Sequence, residues 1–169
     1  MSENLYASVT ERRDIPDVLK VPSGNSLLLR AYGKGVQIYT CPDTSHAKPH
    51  AILLESDLDE GDLVAIHFAG PSWQATKDGS MVVGDTSSKN PNFKSYQPDP
   101  DGDSVPWLLI PVKQTQGSGL FSKVTFIQRL YTDGGKAPSG SCDQKQDGTE
   151  ILVEYSAQYL FYIASPEAQ

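Results

Sequence analysis

The feature that most constrains this chain is an alternation of side chains near its C-terminal end. From Ile151 to Ile163 every second residue is apolar or aromatic, and a repeat of two residues is the period of a β-strand. Shorter stretches with the same period run from Val36 to Cys41, from Val64 to Ala69 and from Val124 to Tyr131. Because no segment carries a sustained apolar stripe at helical spacing, the sequence predicts an all-β protein.

Turn-forming residues separate these strands along the whole chain. There are 14 Gly and 12 Pro, which suits many short strands joined by turns. We therefore expect an antiparallel β-sandwich or barrel of about eight to nine strands with long loops. The predicted organisation is a flexible N-terminal arm over residues 1–20, followed by a single β domain over residues 21–165.

Four segments of the predicted domain have the composition of turns or loops. They are a turn at Gly33 to Gly35 and loops over residues 42–50, 84–104 and 132–149. The loop over 84–104 is longer than most loops in compact domains, so it is either a functional lid or a disordered segment.

Charge and composition exclude several classes of partner. The formal net charge is −7, and no basic stripe interrupts the acidity, so nucleic acid is not an expected partner. No stretch approaches the roughly 20 apolar residues that span a bilayer. The sequence Gly33-Lys34-Gly35 lacks the third glycine and the following helix of a dinucleotide fingerprint, which argues against nucleotide binding.

Metal and hydrolase chemistry have weak support. Cys41, His46 and His50 are close in sequence, but prolines interrupt the segment and no fourth ligand is evident. We therefore predict no metal and no cofactor. Ser72 does not lie in a Gly-x-Ser-x-Gly elbow, so a hydrolase that uses Ser72 with His67 is a minor alternative.

Three polar residues on predicted strands are candidate catalytic groups. His67 is the only histidine inside a predicted strand. It is either an ordinary core or surface histidine, or a neutral donor or acid in a cavity. Gln128 and Arg129 are neighbours in one strand, so only one of them can face a cavity.

Aromatic residues on the predicted strands can build a core or the walls of a cavity. A strand interior lined in this way can hold a flat apolar ligand. The aromatic residues in question are Tyr39, Trp73, Trp107, Tyr131, Tyr155, Tyr159 and Tyr162.

Four segments of the chain form a specific set of motifs. They are Gly35–Cys41, His67–Trp73 with Asp78–Ser80, Pro106–Leu109, and Thr125–Leu130 with Gly134 through Cys142. Together these segments resemble a family of small fungal and bacterial proteins without a known function. Some relatives carry a malate dehydrogenase label, which no nucleotide fingerprint in this chain supports. Family members with an assigned activity are similar to hetero-Diels–Alderases of fungal pathways to tropolonic sesquiterpenoids.

This resemblance implies a cofactor-free cyclase that acts on small apolar substrates. The reaction would be a [4+2] cycloaddition between a tropolone quinone methide and a humulene-type alkene. His67 and Arg129 are the first candidates for a donor or acid. Gln128 takes the place of Arg129 if the other side of their strand faces the cavity. The expected wall residues are Trp73, Tyr39, Tyr159, Tyr131 and Trp107. A non-catalytic module that carries an apolar metabolite shares these features, and either a monomer or a homodimer is compatible with them.

The two cysteines, Cys41 and Cys142, are either small buried side chains or a disulfide. The resemblance implies the disulfide, because relatives contain both cysteines and begin with a secretory signal. A disulfide would favour an oxidising compartment. The expected location is therefore the secretory pathway or the exterior if a signal has been removed, and otherwise the cytoplasm.

Overall fold

The computed structural model describes residues 14–57 and 61–166. Nine β-strands form one antiparallel sheet, and a single turn of 3₁₀ helix, Asp17–Leu19, precedes them. The predicted all-β class and the strand number are confirmed. The strands are β1 (Asn25–Thr40), β2 (Asp43–Leu54), β3 (Leu63–Phe68), β4 (Ser72–Ala75), β5 (Met81–Gly84), β6 (Lys94–Tyr96), β7 (Trp107–Gln116), β8 (Val124–Gly134) and β9 (Glu150–Ala164).

The sheet closes on itself into a barrel-like ring. The strand order is β5-β4-β3-β2-β1-β9-β8-β7-β6, and β5 also pairs with β7. The first half of β7 bonds to β6, with Trp107 opposite Tyr96. Its second half bonds to β5, with Thr115 opposite Val82. Because of this division of β7, the short strand β6 is an addition to the ring rather than a member of it.

Two local predictions about the first third of the chain are wrong. The predicted turn at Gly33 to Gly35 lies in the middle of β1, and most of the predicted loop over 42–50 belongs to β2. Both glycines are needed for close packing. A Cβ atom on Gly33 would lie 2.7 Å from Cε2 of Tyr159, and one on Gly35 would lie 2.5 Å from Cα of Ala51.

Alternating side chains fill much of the inside of the ring. The interior residues are mostly small or aromatic, so aromatic rings from one strand occupy the space left by alanines on another. The fully buried members of this inner cluster are Ala31, Leu53, Ala65, Trp73, Val82, Phe121, Ile127, Tyr159 and Phe161.

A second apolar cluster covers the outer face of β7, β8 and β9. It consists of Leu19, Trp107, Leu109, Leu130 and Leu160. Leu19, in the 3₁₀ turn, is completely buried there. Of the predicted flexible arm over residues 1–20, the first 13 residues lie outside the described residues, whereas the end of the arm is packed onto the ring.

The predicted disulfide is confirmed. Cys41 and Cys142 are bonded, with their Cα atoms 5.6 Å apart and a sequence separation of 101. The backbone of Cys41 also bonds to Thr149 and Gly148. The loop between β8 and β9 is therefore fixed to the end of β1. Among the described residues, no helix has the length and hydrophobicity that crossing a membrane requires.

Replacing Cys41 and Cys142 together by alanine is expected to lower the free energy of unfolding by about 4–5 kcal/mol. A cross-link over 101 residues removes that much loop-closure free energy from the unfolded chain in the entropic account. Urea denaturation measures the loss. Wild-type protein in a reductant is the matched control and should lose the same amount. A loss below about 1 kcal/mol would contradict the expectation.

Candidate functional site

One end of the ring interior is not filled by side chains and forms a cavity of about 330 Å³. Buried residues make its floor, and exposed residues from β2, from the β3–β4 turn and from the segment after β5 make its mouth. The lining residues are Gln37, Ala47, Lys48, Pro49, His67, Ala69, Gly70, Pro71, Trp73, Thr86, Leu108, Ile110, Arg129 and Tyr159.

The register of the sheet brings four of the predicted site residues to this cavity. His67 on β3 lies opposite Trp73 on β4, and Arg129 on β8 lies opposite Tyr159 on β9. Residues directly opposite one another in an antiparallel pair point to the same face. Both pairs point into the ring, and closure of the sheet brings them together, with Tyr159 in contact with His67 and Trp73.

Aromatic contacts hold the floor of the cavity in place. The rings of His67 and Trp73 are stacked, with centroids 4.3 Å apart and an interplanar angle of 9°. The ring of Tyr159 meets both edge-on, at 5.1 Å from His67 and 5.8 Å from Trp73. Such arrangements are the favoured geometries of aromatic pairs. The aromatic rings of the floor are therefore held in fixed orientations.

The imidazole of His67 is a neutral hydrogen-bond acceptor. Its Nδ1 lies 2.8 Å from the carbonyl oxygen of Ser72, which can only accept, so Nδ1 carries the proton and Nε2 has the lone pair. Burial, together with the nearby charge of Arg129, lowers the pKa of His67 to about 3, although the hydrogen bond to Ser72 opposes the shift. Within the described residues Nε2 has no hydrogen-bond partner. His67 therefore suits acceptance of a hydrogen bond from a guest, and not the role of an acid at neutral pH.

Arg129 is the fixed cation of the cavity. Its Nε and Nη2 atoms donate to the carbonyl oxygen of Pro106, at 3.1 and 2.8 Å. Across the described part of the chain, the ion pairs found do not involve Arg129. Burial raises the pKa of the Tyr159 hydroxyl, and the neighbouring guanidinium partly opposes this rise. Arg129 is thus oriented by a neutral carbonyl and not by a carboxylate.

Two further donors on lining side chains are unpaired. Nε2 of Gln37 and Nε1 of Trp73 are buried and have no hydrogen-bond partner in the described structure. The side chain of Gln37 is 3% exposed and that of Trp73 is fully buried. Buried donors without an acceptor are rare in native proteins and need an explanation.

Three predicted site residues lie on the outer face and not at the cavity. Gln128 donates to the carbonyl oxygen of Leu19 at 2.7 Å and accepts from the hydroxyl of Tyr162 at 2.8 Å. Its neighbour Arg129 takes the inward position, as strand alternation requires. The rings of Trp107 and Tyr131 contact each other at 5.1 Å in the outer cluster.

Tyr131 lies on the outer face because of an irregularity in β8. Its φ angle is 51°, and the pairing of β8 with β9 shifts register between Leu130 and Asp133. Strict alternation would send Leu130 and Tyr131 to opposite faces. The shift lets both side chains join the outer cluster, so alternation alone gives the wrong face for Tyr131.

Tyr39 and Tyr155 support the site from within the ring. The hydroxyl of Tyr39 donates to the carbonyl oxygen of Gly135 at 2.5 Å, below the loop that the disulfide fixes. The hydroxyls of Tyr155 and Tyr159 are 2.9 Å apart. Burial raises the pKa values of both Tyr39 and Tyr155. Tyr39 is buried beside the site and does not line the cavity.

Sequence reasoning missed two polar lining residues, Gln37 and Lys48. Gln37 alternates with Val36 and Ile38 and shares a face with Tyr39, so the aromatic Tyr39 was the available signal that Gln37 faces inward. Lys48 was assigned to a loop because of the neighbouring prolines. Of the long loop over 84–104, Thr86 lines the mouth.

The other chemistries considered from the sequence have no matching arrangement. The hydroxyl of Ser72 donates to the carbonyl oxygen of Ala69 at 3.2 Å, and His67 uses its Nδ1 proton on the backbone of Ser72. Cys41 is committed to the disulfide. Within residues 14–57 and 61–166, no group of three or more potential metal ligands is present.

A sequence profile of a family described as "Protein of unknown function (DUF3455)" matches residues 53–163, more than half of the chain. The matched segment contains His67, Trp73, Arg129 and Tyr159, whereas Gln37 and Lys48 precede it. No curated protein and no solved structure matches the chain.

Stability is expected to fall in mild acid because of His67. Its folded-state pKa of about 3 lies below the ordinary value of 6.5. Between these values the unfolded chain binds a proton that the folded protein does not. The stability that the neutral imidazole contributes is therefore present above pH 6.5 and is lost as the pH falls toward 3, by up to about 1.4 kcal/mol per pH unit.

Urea denaturation of the wild type and of His67→Phe from pH 6.5 to about 4.5, above the range in which most carboxylates titrate, measures this loss. The variant should show a shallower dependence on pH. His46→Phe is the matched control, because His46 is exposed, and it should retain the wild-type slope. Equal slopes in all three proteins would contradict the assignment.

Proposed function

This chain belongs to the family of proteins of unknown function DUF3455, and we propose that it is a cofactor-free cyclase. The proposed reaction is a hetero-Diels–Alder addition of a tropolone quinone methide to a humulene-type alkene. The observation that carries the proposal is a cavity lined by an uncompensated cation, Arg129, and by the aromatic residues Trp73 and Tyr159. The resemblance described above supplies the identity of the substrates.

The size of the cavity fits one ring-shaped guest. A volume of about 330 Å³ is near the lower limit of the roughly 300–1,000 Å³ of small-molecule sites. A tropolone ring would lie against Trp73, His67 and Tyr159. The larger alkene would then approach through the mouth, where Ala69 and Pro71 offer apolar contact.

The proposed cycloaddition needs polarisation and orientation, and the lining residues can supply both. The quinone methide has a conjugated C=C–C=O unit. The two π bonds of this unit and the π bond of the alkene are consumed, one C–C and one C–O σ bond form, and a new C=C bond forms between the two central carbons of the unit. No proton or electron leaves in this step. A donor directed at the carbonyl oxygen, here Arg129, would stabilise the charge that develops on it. Alignment of two reactants can contribute up to roughly 7–11 kcal/mol.

His67 would act as an orienting acceptor in this reaction. Its Nε2 lone pair can accept a hydrogen bond from a hydroxyl of the tropolone precursor. The buried floor would also limit the access of water to the quinone methide, which water otherwise consumes. Because His67 is neutral, Arg129 carries the positive charge beside the floor of the cavity.

A carrier of a small apolar metabolite is the second candidate. The observation that favours it is the volume, because about 330 Å³ encloses one ring and leaves the second reactant mostly outside. The ligand of a carrier would raise the melting temperature of the protein. A carrier would not accelerate adduct formation between the two substrates.

Product analysis with a hydroxymethyl tropolone precursor and humulenol tests the cyclase. Wild-type protein is expected to raise the yield and to give one stereoisomer. Arg129→Met should lower the rate about 10²–10³-fold, as loss of an oxyanion donor does elsewhere, and Arg129→Lys should lose less. Lys123→Met removes an exposed cation away from the cavity and should behave as the wild type.

Thermal melts of the same variants separate loss of chemistry from loss of the fold. If the wild-type protein leaves yield and stereochemistry at the uncatalysed level, the cyclase proposal is wrong. Stabilisation by the tropolone precursor in that case would favour the carrier.

A further inference from the structure

We infer that the cavity binds its guest as an anion, namely a planar ring that carries an ionised oxygen, held against Arg129. The oxygen belongs to a carboxylate or to an acidic enol. The enol case rests on the proposed function and assigns the ionised form to its tropolone substrate, whereas the carboxylate case is independent of it.

The charge of the lining is opposite to that of the whole protein. The chain has a formal net charge of −7, yet the charged side chain that points into the cavity is that of Arg129, and the other charged residue of the lining is Lys48, an exposed lysine at the mouth. No Asp or Glu is among the lining residues of the described structure. An acidic protein with a purely cationic cavity favours a guest of negative charge, because opposite charges attract most strongly away from water.

The groups that face Arg129 leave its charge uncompensated. The titratable side chains on which its charge acts are Tyr39, His67, Tyr155 and Tyr159. All four are neutral at physiological pH, because burial raises the pKa values of the tyrosines and lowers that of the histidine. A half-buried guanidinium without a carboxylate partner is costly, and an anionic guest would offset that cost.

The unpaired donors point to the same ligand class. The N–H groups of Gln37 and Trp73 have no acceptor in the described structure, so their positive ends add to the potential of Arg129 close to the cavity. Nε2 of His67 is the acceptor on the floor. The complementary guest therefore has an ionised oxygen for the guanidinium, and a hydroxyl or N–H group beside that oxygen would add a hydrogen bond to His67.

The flatness of the guest follows from the aromatic floor. His67 and Trp73 are stacked nearly parallel, with 9° between their planes, and Tyr159 stands on edge beside them. A planar ring can extend this packing of aromatic rings, with its oxygen toward Arg129 on β8. Flexible aliphatic acids would lose more rotational freedom on binding and make fewer contacts.

Calorimetric titration of the full chain with matched probes tests the inference. Benzoate and benzamide have similar shapes but differ in charge. Tropolone and its methyl ether also have similar shapes, but only tropolone can ionise. At least one acidic probe is expected to bind about tenfold or more tightly than its neutral partner. Benzoate alone would identify a carboxylate site, and tropolone alone would identify an enolate site.

Variants show whether Arg129 is responsible. Arg129→Met should abolish the preference for the acidic probe, Arg129→Lys should keep part of it, and Lys123→Met should keep all of it. The absorbance spectrum of tropolone gives an independent measurement, because the ionised form has its own spectrum. Binding should lower the apparent pKa of tropolone by about one unit or more, which corresponds to a tenfold preference for the anion.

Equal binding of acidic and neutral probes, or binding of neither, would overturn the inference. The failure of the cyclase proposal is distinguishable. If an acidic probe binds through Arg129 and no adduct forms, the anion site remains and the cyclase is wrong. If adduct forms while the pKa of tropolone is unchanged and the methyl ether binds equally, the cyclase remains and the anion site is wrong.

Discussion

Pairing of β5 with the second half of β7 is the interaction on which this structure depends. It closes the sheet into a ring, so every inward side chain of eight strands must share one interior. At one end of the ring, aromatic side chains such as Phe161 and Phe121 pack with branched residues and alanines and fill the interior. Toward the other end, small residues such as Ala47 and Gly70 leave space above the floor, and the cavity results from that imbalance of volume.

The electrostatic character of the cavity follows from the same closure. Ring closure brings Arg129 of β8 and His67 of β3 to the same cavity, and burial keeps His67 and the surrounding tyrosines neutral. The positive charge therefore lacks an ionised neighbour among the described residues that line the cavity. Both proposals depend on this isolation of the guanidinium, one for polarising a carbonyl and the other for holding an ionised oxygen.

The sequence was sufficient for the fold class because alternation is a local property. The 13-residue pattern of β9 and the shorter patterns of β1, β3 and β8 each predict a strand without knowledge of the others. The cysteine pairing came from family resemblance and is confirmed. Gly33 was misread because its role, making room for the ring of Tyr159, depends on a strand more than 120 residues away in the chain.

The candidate site was predictable only in part, for a physical reason. Alternation states that Gln128 and Arg129 face opposite sides, and it does not say which side is inside. The answer depends on ring closure and on the 3₁₀ turn, whose Leu19 carbonyl bonds Gln128 on the outer face. Irregular pairing in β8 moved Tyr131 outward, and no local signal in the sequence indicates that shift.

The central claim is that a guest lies inside the ring, on the aromatic floor and next to Arg129. Intermolecular nuclear Overhauser effects between tropolone ring protons and assigned aromatic protons of the protein test it directly. The account predicts contacts to the rings of Trp73 and Tyr159. Contacts confined to Trp107 and Tyr131 on the outer face, or none to the floor at saturating tropolone, would contradict it.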